Sequence, residues 1–267
     1  MPSGRLLHVG IDSTRIEDDF TLGRCGPVFT EESVICDELP ELPLHDFKFI
    51  PTRETCIQST ELRTYDTLDL SRFLPTRFAK DKVHFDPDFY NFTYGEPADP
   101  NNRRALLIRN LHAGESLFFV SSLVPFTEDF PKANQVGRKV KYLVGGFKLK
   151  LVCEVRYHKI TTIFSGNEPD HRTLAQIAEN AHWKRPNDNF WCAVGEIEGR
   201  GSALFKRAFP LTQGSRYEAT TLARHLYGEK IYQRGSEPIR EQTEAEWLWT
   251  VVREYFWQVV SFHQGQL

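Results

Sequence analysis

The chain has 267 residues, 33 Lys+Arg against 36 Asp+Glu for a formal net charge of -3, and 20 Phe, 9 Tyr and 5 Trp. So much aromatic surface has to be buried, which excludes disorder over most of the length. The near-balance of charge excludes a bulk cationic coat for nucleic acid but leaves room for a local basic cleft. No apolar run approaches the roughly 18 residues of a membrane span, and no apolar leader follows Met1-Pro2-Ser3-Gly4-Arg5. The five cysteines, at 25, 36, 56, 153 and 192, form no CxxC pair. They argue against a zinc ribbon and for reduced thiols in a cytoplasmic protein.

In chain order, Leu-Leu-His-Val-Gly-Ile at 6–11 reads as a buried strand closed by the polar pair Asp12-Ser13. Pro27-Val28-Phe29 and Ser33-Val34-Ile35 flank Thr30-Glu31-Glu32, which suggests a hairpin. Residues 44–80 suggest only short strands and irregular structure. His84-Phe85-Asp86-Pro87-Asp88-Phe89 and Thr93-Tyr94-Gly95-Glu96 form a polar cluster in which Pro87 opposes helix. A short apolar element over 105–111 is a candidate helix, His112-Ala113-Gly114-Glu115 is a turn, and Ser116–Val120 is a strand. From Lys141 to Tyr157, Phe147, Leu149 and Leu151 alternate with Lys148 and Lys150, the period of a strand with one buried face. Gly145-Gly146 inside it predicts a bulge or the close approach of another backbone.

Beyond residue 165 the pattern turns helical at Leu174, Ile177, Ala178 and Ala181. His171 and His182 fall on one predicted helix. Phe190–Gly195 is a further strand. Ser215-Arg216-Tyr217-Glu218 and Thr243-Glu244-Ala245-Glu246 match capping boxes. The first precedes Ala219, Leu222, Ala223 and Leu226, with Gly228 as the stop. The second opens a long stripe from Ala245 through Leu248, Trp249, Val252 and Phe256 to Val260, read as a core-packing helix. These elements predict an α+β chain, one domain over 1–267, with strands mainly before 165 and helices mainly after it.

The polar residues offer candidate chemistry, each with a plainer structural reading. His84, Asp86 and Asp88 alternate, so they can share one face. The set suits a general base oriented by a carboxylate or a divalent-cation site. It equally suits a turn whose carboxylates cap backbone amides. Asp12 and Ser13 sit where a strand end meets a cleft rim, or start an Asx turn. Tyr94 beside Gly95 can stack on a base, or fill the core. His182-Trp183-Lys184-Arg185 joins aromatic and cationic groups as a base-and-phosphate contact would, and as a helix end also does. Arg103, Arg104, Lys206 and Arg207 are further phosphate candidates or ordinary surface. The catalytic candidates are thus Asp12, His84 and Asp86. The substrate-binding candidates are Ser13, Tyr94, Arg103, Arg104, His182, Lys184 and Arg185. No metal set is assigned and no particular cofactor is indicated. No dinucleotide, P-loop, GxSxG, HExxH or kinase motif is present.

Taken together, Val9–Ser13, Gly26–Phe29, His84–Phe89 with Thr93–Glu96, Leu111–Phe119, Tyr142–Phe147, Asn180–Arg185 and Gly201–Ala208 carry a resemblance. In that order they resemble the third nucleotide modification associated domain family, over about residues 6–210. The stretch from His84 to Gly95 is the most distinctive. One departure is Gly114-Glu115, where the family tends to have Gly-Asp; the turn and its charge are kept. The resemblance implies a role in modifying nucleotides or nucleic-acid bases, with a nucleotide, DNA or RNA as partner, and carries no settled reaction. The alternative is a non-catalytic reader of modified bases. A second likeness is architectural. The Gly-acidic turn, the aromatic strand and the Leu-Val-Gly-Gly-Phe strand resemble the core of EVE, ASCH and PUA-like barrels, so the expected core is such a barrel or a mixed sheet with helices packed on it.

Overall fold

The computed structural model describes residues 4–9, 26–36, 39–47, 63–64, 82–83, 87–125, 140–183, 189–197, 201–213, 218–227, 237–239 and 242–258. The first half of the chain supplies β1 (Gly4–His8), β2 (Gly26–Cys36), β3 (Leu39–Phe47), β4 (Arg63–Thr64), β5 (Lys82–Val83), β6 (Thr93–Pro97), helix α1 (Arg103–Arg109) and β7 (Ser116–Pro125). The second supplies β8 (Val140–Arg156), β9 (Lys159–Gly166), α2 (His171–Ala178), β10 (Phe190–Gly195), β11 (Ser202–Pro210), β12 (Thr212–Gln213) and β13 (Glu218–Ala219). It continues with α3 (Thr221–Tyr227), β14 (Glu237–Ile239), α4 (Gln242–Phe256) and β15 (Trp257–Gln258).

One mixed sheet runs in the order β14-β1-β7-β2-β3-β11-β8-β10-β6, with β9 added to β8 and β15 to β11. β7 is its hub: β1 and β2 lie parallel to it and β8 antiparallel. The ends, β14 and β6, do not meet, so the described strands make no end-to-end closed barrel. The architecture is a mixed sheet core with a few helices, and a PUA-like barrel is not what the strand order displays. The β7–β8 pairing does curl the middle of the sheet back on itself.

β8 organises the core. Phe147 and Leu149 are buried while Lys148 and Lys150 are partly exposed, as alternation predicts. From Leu151 to Val155 both faces are buried, because each is covered by a helix there. On one face, Val152 and Ala193 pack with Ala105 and Ile108 of α1 and with Phe89, Phe92, Tyr94, Phe119 and Phe147. On the other, Cys153, Val155 and Cys192 pack with Ile177 of α2. A third cluster joins Leu6, Phe118 and Leu143 to Leu222 and Leu226 of α3 and to Leu248, Trp249 and Val252 of α4. Gly145 and Gly146 let these layers approach. A Cβ on Gly145 would meet the Phe89 ring and stand 2.7 Å from the Ala203 carbonyl oxygen; one on Gly146 would stand 2.6 Å from Phe118. The β7–β8 register breaks beside them, between Phe119 and Val120.

Several sequence expectations need correction. Thr30-Glu31-Glu32 does not turn the chain: β2 runs through it, and the register jump between Phe29 and Val34 absorbs the extra residues as an irregularity against β3. Helices α2 to α4 do follow after 165, but interleaved with six strands, β10 to β15, where one or two were expected. Helix α2 ends at Ala178, so His171 and His182 do not share a helix. Its buried positions are Thr173, Gln176 and Ile177, while Leu174 is exposed. Most of its polar groups are bonded: Gln176 Nε2 donates to the Asn91 carbonyl at 2.6 Å and Thr173 Oγ1 to Asp170 Oδ1 at 2.6 Å, while Gln176 Oε1 finds no partner among the described residues. Helix α3 is capped by Thr220, whose hydroxyl accepts from Ala223 N at 3.3 Å, instead of by a box at 215–218. Helix α4 keeps Ala245, Leu248, Trp249 and Val252 buried, but ends at Phe256, where the chain enters β15 against β11. Val259 and Val260 lie outside the described residues.

Candidate functional site

The site is built where the Asp88–Thr93 turn feeds β6 at the end of the sheet. The Asp88 carboxylate accepts from the backbone N–H groups of Tyr90 (2.8 Å) and Asn91 (3.0 Å) and from the Asn91 side chain (2.6 Å). It is a turn-capping group, the plainer of its two readings. A bridge between Asp88 and Thr93 closes the turn, and Phe89 and Phe92 anchor it in the core. Phe89 meets Phe119 and Phe147 edge-on, with ring centroids at 5.3 and 5.5 Å.

β6 then sends alternate side chains to opposite faces. Thr93 and Gly95 face the α2 side. The Asn180 amide donates to Thr93 Oγ1 at 3.1 Å, and a Cβ on Gly95 would stand 2.9 Å from both Asn180 Oδ1 and His182 Cδ2. Tyr94 and Glu96 face the α1 side. The Tyr94 phenol donates to Glu96 Oε1, and the half-exposed Arg104 guanidinium lies 3.8 Å from the same oxygen. Glu96 is therefore a nearly buried carboxylate shared by a phenol and a cation.

Cross-strand pairing extends this row. Trp191 on β10 stands opposite Glu96 on one side and Glu154 on the other. Its indole N–H donates to Glu154 Oε1 at 3.3 Å, and Arg156 reaches the same oxygen at 2.7 Å. Burial pushes the Glu154 carboxyl up, but hydrogen bonds from Arg156, Trp191 and Thr162, with the Arg156 charge, more than offset it and leave the group below its ordinary range. Arg109 of α1 lies over both Trp191 and Phe164, 5.6 Å from each ring. The face thus presents a phenol and two carboxylates held among three arginines, a set able to donate or accept protons beside an anion.

The structure brings Tyr94 and Arg104 together at Glu96, with Arg103 exposed beside Arg104 on α1. It does not bring His182 to them. That side chain is buried on the opposite face, stacked on Phe190 at 5.5 Å, and its backbone N–H donates to Asn180 Oδ1 at 2.9 Å. Tyr94 is 3% exposed and tilted against Phe119 at 5.6 Å, so its ring fills core and offers no open face to a base. Asp12, Ser13, His84, Asp86, Lys184 and Arg185 lie outside the described residues.

Glu96, Trp191, Glu154 and Arg109 were not singled out from the sequence. The available signal was a lone charge inside an apolar strand, Glu154 between Cys153 and Val155. What ties it to Glu96 is strand pairing, which local pattern does not carry. Among the described residues, no group of three or more His, Cys, Asp or Glu is placed to hold a metal ion, and no helix is long and apolar enough to cross a membrane.

Comparison with curated proteins and with solved structures returns no match. The turn from Pro87, the Tyr94–Glu96 strand, the Gly114 turn and the Gly145-Gly146 strand all lie within the match to one family. That match, to nucleotide modification associated domain 3, covers residues 6–255, nearly the whole sequence, and the chain belongs to that family.

Proposed function

We propose that this protein acts chemically on the base of a nucleotide or nucleic acid, with Asp12, His84 and Asp86 as its catalytic groups. The supporting observation is a convergence in the core. Val9, three residues before Asp12, and Phe89, three residues after Asp86, belong to the same cluster as Tyr94. Both catalytic segments therefore leave one hydrophobic cluster, the one that carries the Tyr94–Glu96–Arg104 set on its rim. In this reading His84 exchanges a proton with the base and a carboxylate, Asp12 or Asp86, holds its ring. Ser13 hydrogen-bonds the substrate. Arg103 and Arg104 meet its phosphate, with Glu96 setting the position of Arg104. Lys184 and Arg185 are further phosphate contacts. Family membership supports the nucleotide class without naming the reaction.

The test is to express the chain in a host and survey nucleosides from its DNA, its RNA and its nucleotide pool by mass spectrometry. A new or altered nucleoside is expected with the wild type and is lost in His84→Ala, whose folding is verified by circular dichroism. An unaltered nucleoside profile, together with tight binding of the purified protein to oligonucleotides bearing a modified base, would replace this reading with that of a reader.

A further inference from the structure

The strands β8 and β9 are joined by two residues only, Tyr157 and His158, between the paired Arg156 and Lys159. Both have left-handed backbone, with φ of 50° and 58°. That is the two-residue hairpin turn for which Asn-Gly is the favoured sequence, because a side chain such as tyrosine is crowded at positive φ. At Tyr157 the crowding brings the fold little packing in return. Tyr157 is 71% exposed, the most exposed large hydrophobic side chain among the described residues. Arg156 and Lys159 stand directly opposite one another at the tip, a like-charge pairing that the 2.7 Å bond from Arg156 to Glu154 relieves only on the Arg156 side. His158 meets Trp183 edge-on at 5.5 Å, which fixes the tip beside the motif His182-Trp183 already noted in the sequence.

The crowded turn and the like-charge pair thus work against the hairpin, while the exposed ring and its flanking cations suit one kind of ligand. An exposed aromatic ring stacks on an unpaired base, and flanking cations meet the phosphates on either side. We infer that the β8–β9 tip is a docking point for single-stranded nucleic acid, with Tyr157 stacked on a base and Arg156 and Lys159 on the backbone. This rests on the nucleic-acid reading above and narrows it, making a polymer rather than a free nucleotide the substrate class. With an overall charge of -3, binding of a polyanion has to rest on local cationic contacts, of which this tip is one.

The experiment measures anisotropy of labelled twenty-nucleotide single strands, one DNA and one RNA, titrated with the full chain. Tyr157→Asn/His158→Gly installs the favoured turn. Its melting temperature is expected to rise while affinity for at least one strand falls about tenfold, the range found for one stacked base. Lys159→Glu should weaken binding and flatten the dependence of affinity on salt by about one phosphate contact. The DNA and RNA arms show which polymer is held. The inference is overturned if the wild type binds neither strand, if a duplex of the same sequence binds more tightly, or if the Asn-Gly variant binds as the wild type does. Loss of binding accompanied by a lower melting temperature would also overturn it, since misfolding then explains the loss. Unchanged binding with an altered nucleoside profile sinks only this inference. Turn-dependent binding with an unaltered profile sinks only the catalytic reading.

Discussion

Gly145→Ala is the most direct probe of how the core supports the site. The added methyl would stand 2.7 Å from the Ala203 carbonyl oxygen and against the Phe89 ring. Neither neighbour moves easily. Ala203 is held in the β11–β8 ladder opposite Gly146, and the Phe89 ring is wedged between Phe119 and Phe147. Overpacking of this kind costs about 1–3 kcal/mol, and two held neighbours put the cost in the upper half. Stiffening of the unfolded chain returns about 0.4–1 kcal/mol. The net loss is about 1–2.5 kcal/mol, a fall in Tm of about 2–10 °C for a chain of this size. Differential scanning calorimetry reads it. Phe89→Leu alone also destabilises, but it clears part of the clash, so the double variant should lose less than the sum of the two singles. A Gly145→Ala protein melting within a degree of wild type, or strictly additive losses, would refute the claim that this glycine is required by close approach.

Two further outcomes are expected. Glu154 sits below its ordinary value of 4.5, so the unfolded chain binds its proton first; its stabilisation is complete above that value and is lost as pH falls through the folded one. Urea midpoints at pH 7 and pH 3.5 should therefore differ less in Glu154→Gln than in wild type. Leu248 on α4 is fully buried in the cluster around Trp249, and Leu248→Ala should cost about 2–5 kcal/mol, read as a lower urea midpoint.

Much of the sheet was legible in the sequence. The strands over Ser116–Val120, Lys141–Tyr157 and Phe190–Gly195 showed through apolar content or alternation, properties that a strand carries locally. The double glycine was legible for the same reason. What local pattern misses is context from the far side of the chain. Thr30-Glu31-Glu32 reads as a turn, yet β2 runs on through it and its pairing with β3 resumes at Val34. Leu174 reads as core, yet Thr173, Gln176 and Asn180 are the buried residues: Asp170 bonds Thr173, the Asn91 and Gly195 carbonyls take the Gln176 amide, and Thr93 takes that of Asn180. The site divides in the same way. Tyr94 and Arg104 were chosen from sequence, while the carboxylate joining them became visible only through β6 and α1 together. His182 was chosen for its neighbours Trp183 and Lys184, and its own environment proved to be Phe190 and Asn180.

The placement of β1 bears on how the chain is made. Gly4 pairs with Ser116 on one side and with Ile239 on the other. A strand synthesised before both its neighbours thus waits for its parallel partner until β7 has emerged, and for its antiparallel partner until residues 237–239 have followed. Such pairings raise contact order and slow folding, because the loop-closure entropy has to be met before any contact repays it. During that interval the apolar pair Leu6-Leu7 has no sheet to enter. A ribosome-bound chain halted before β7 is complete should therefore bind a holdase chaperone through its first strand, and release it once β7 is available.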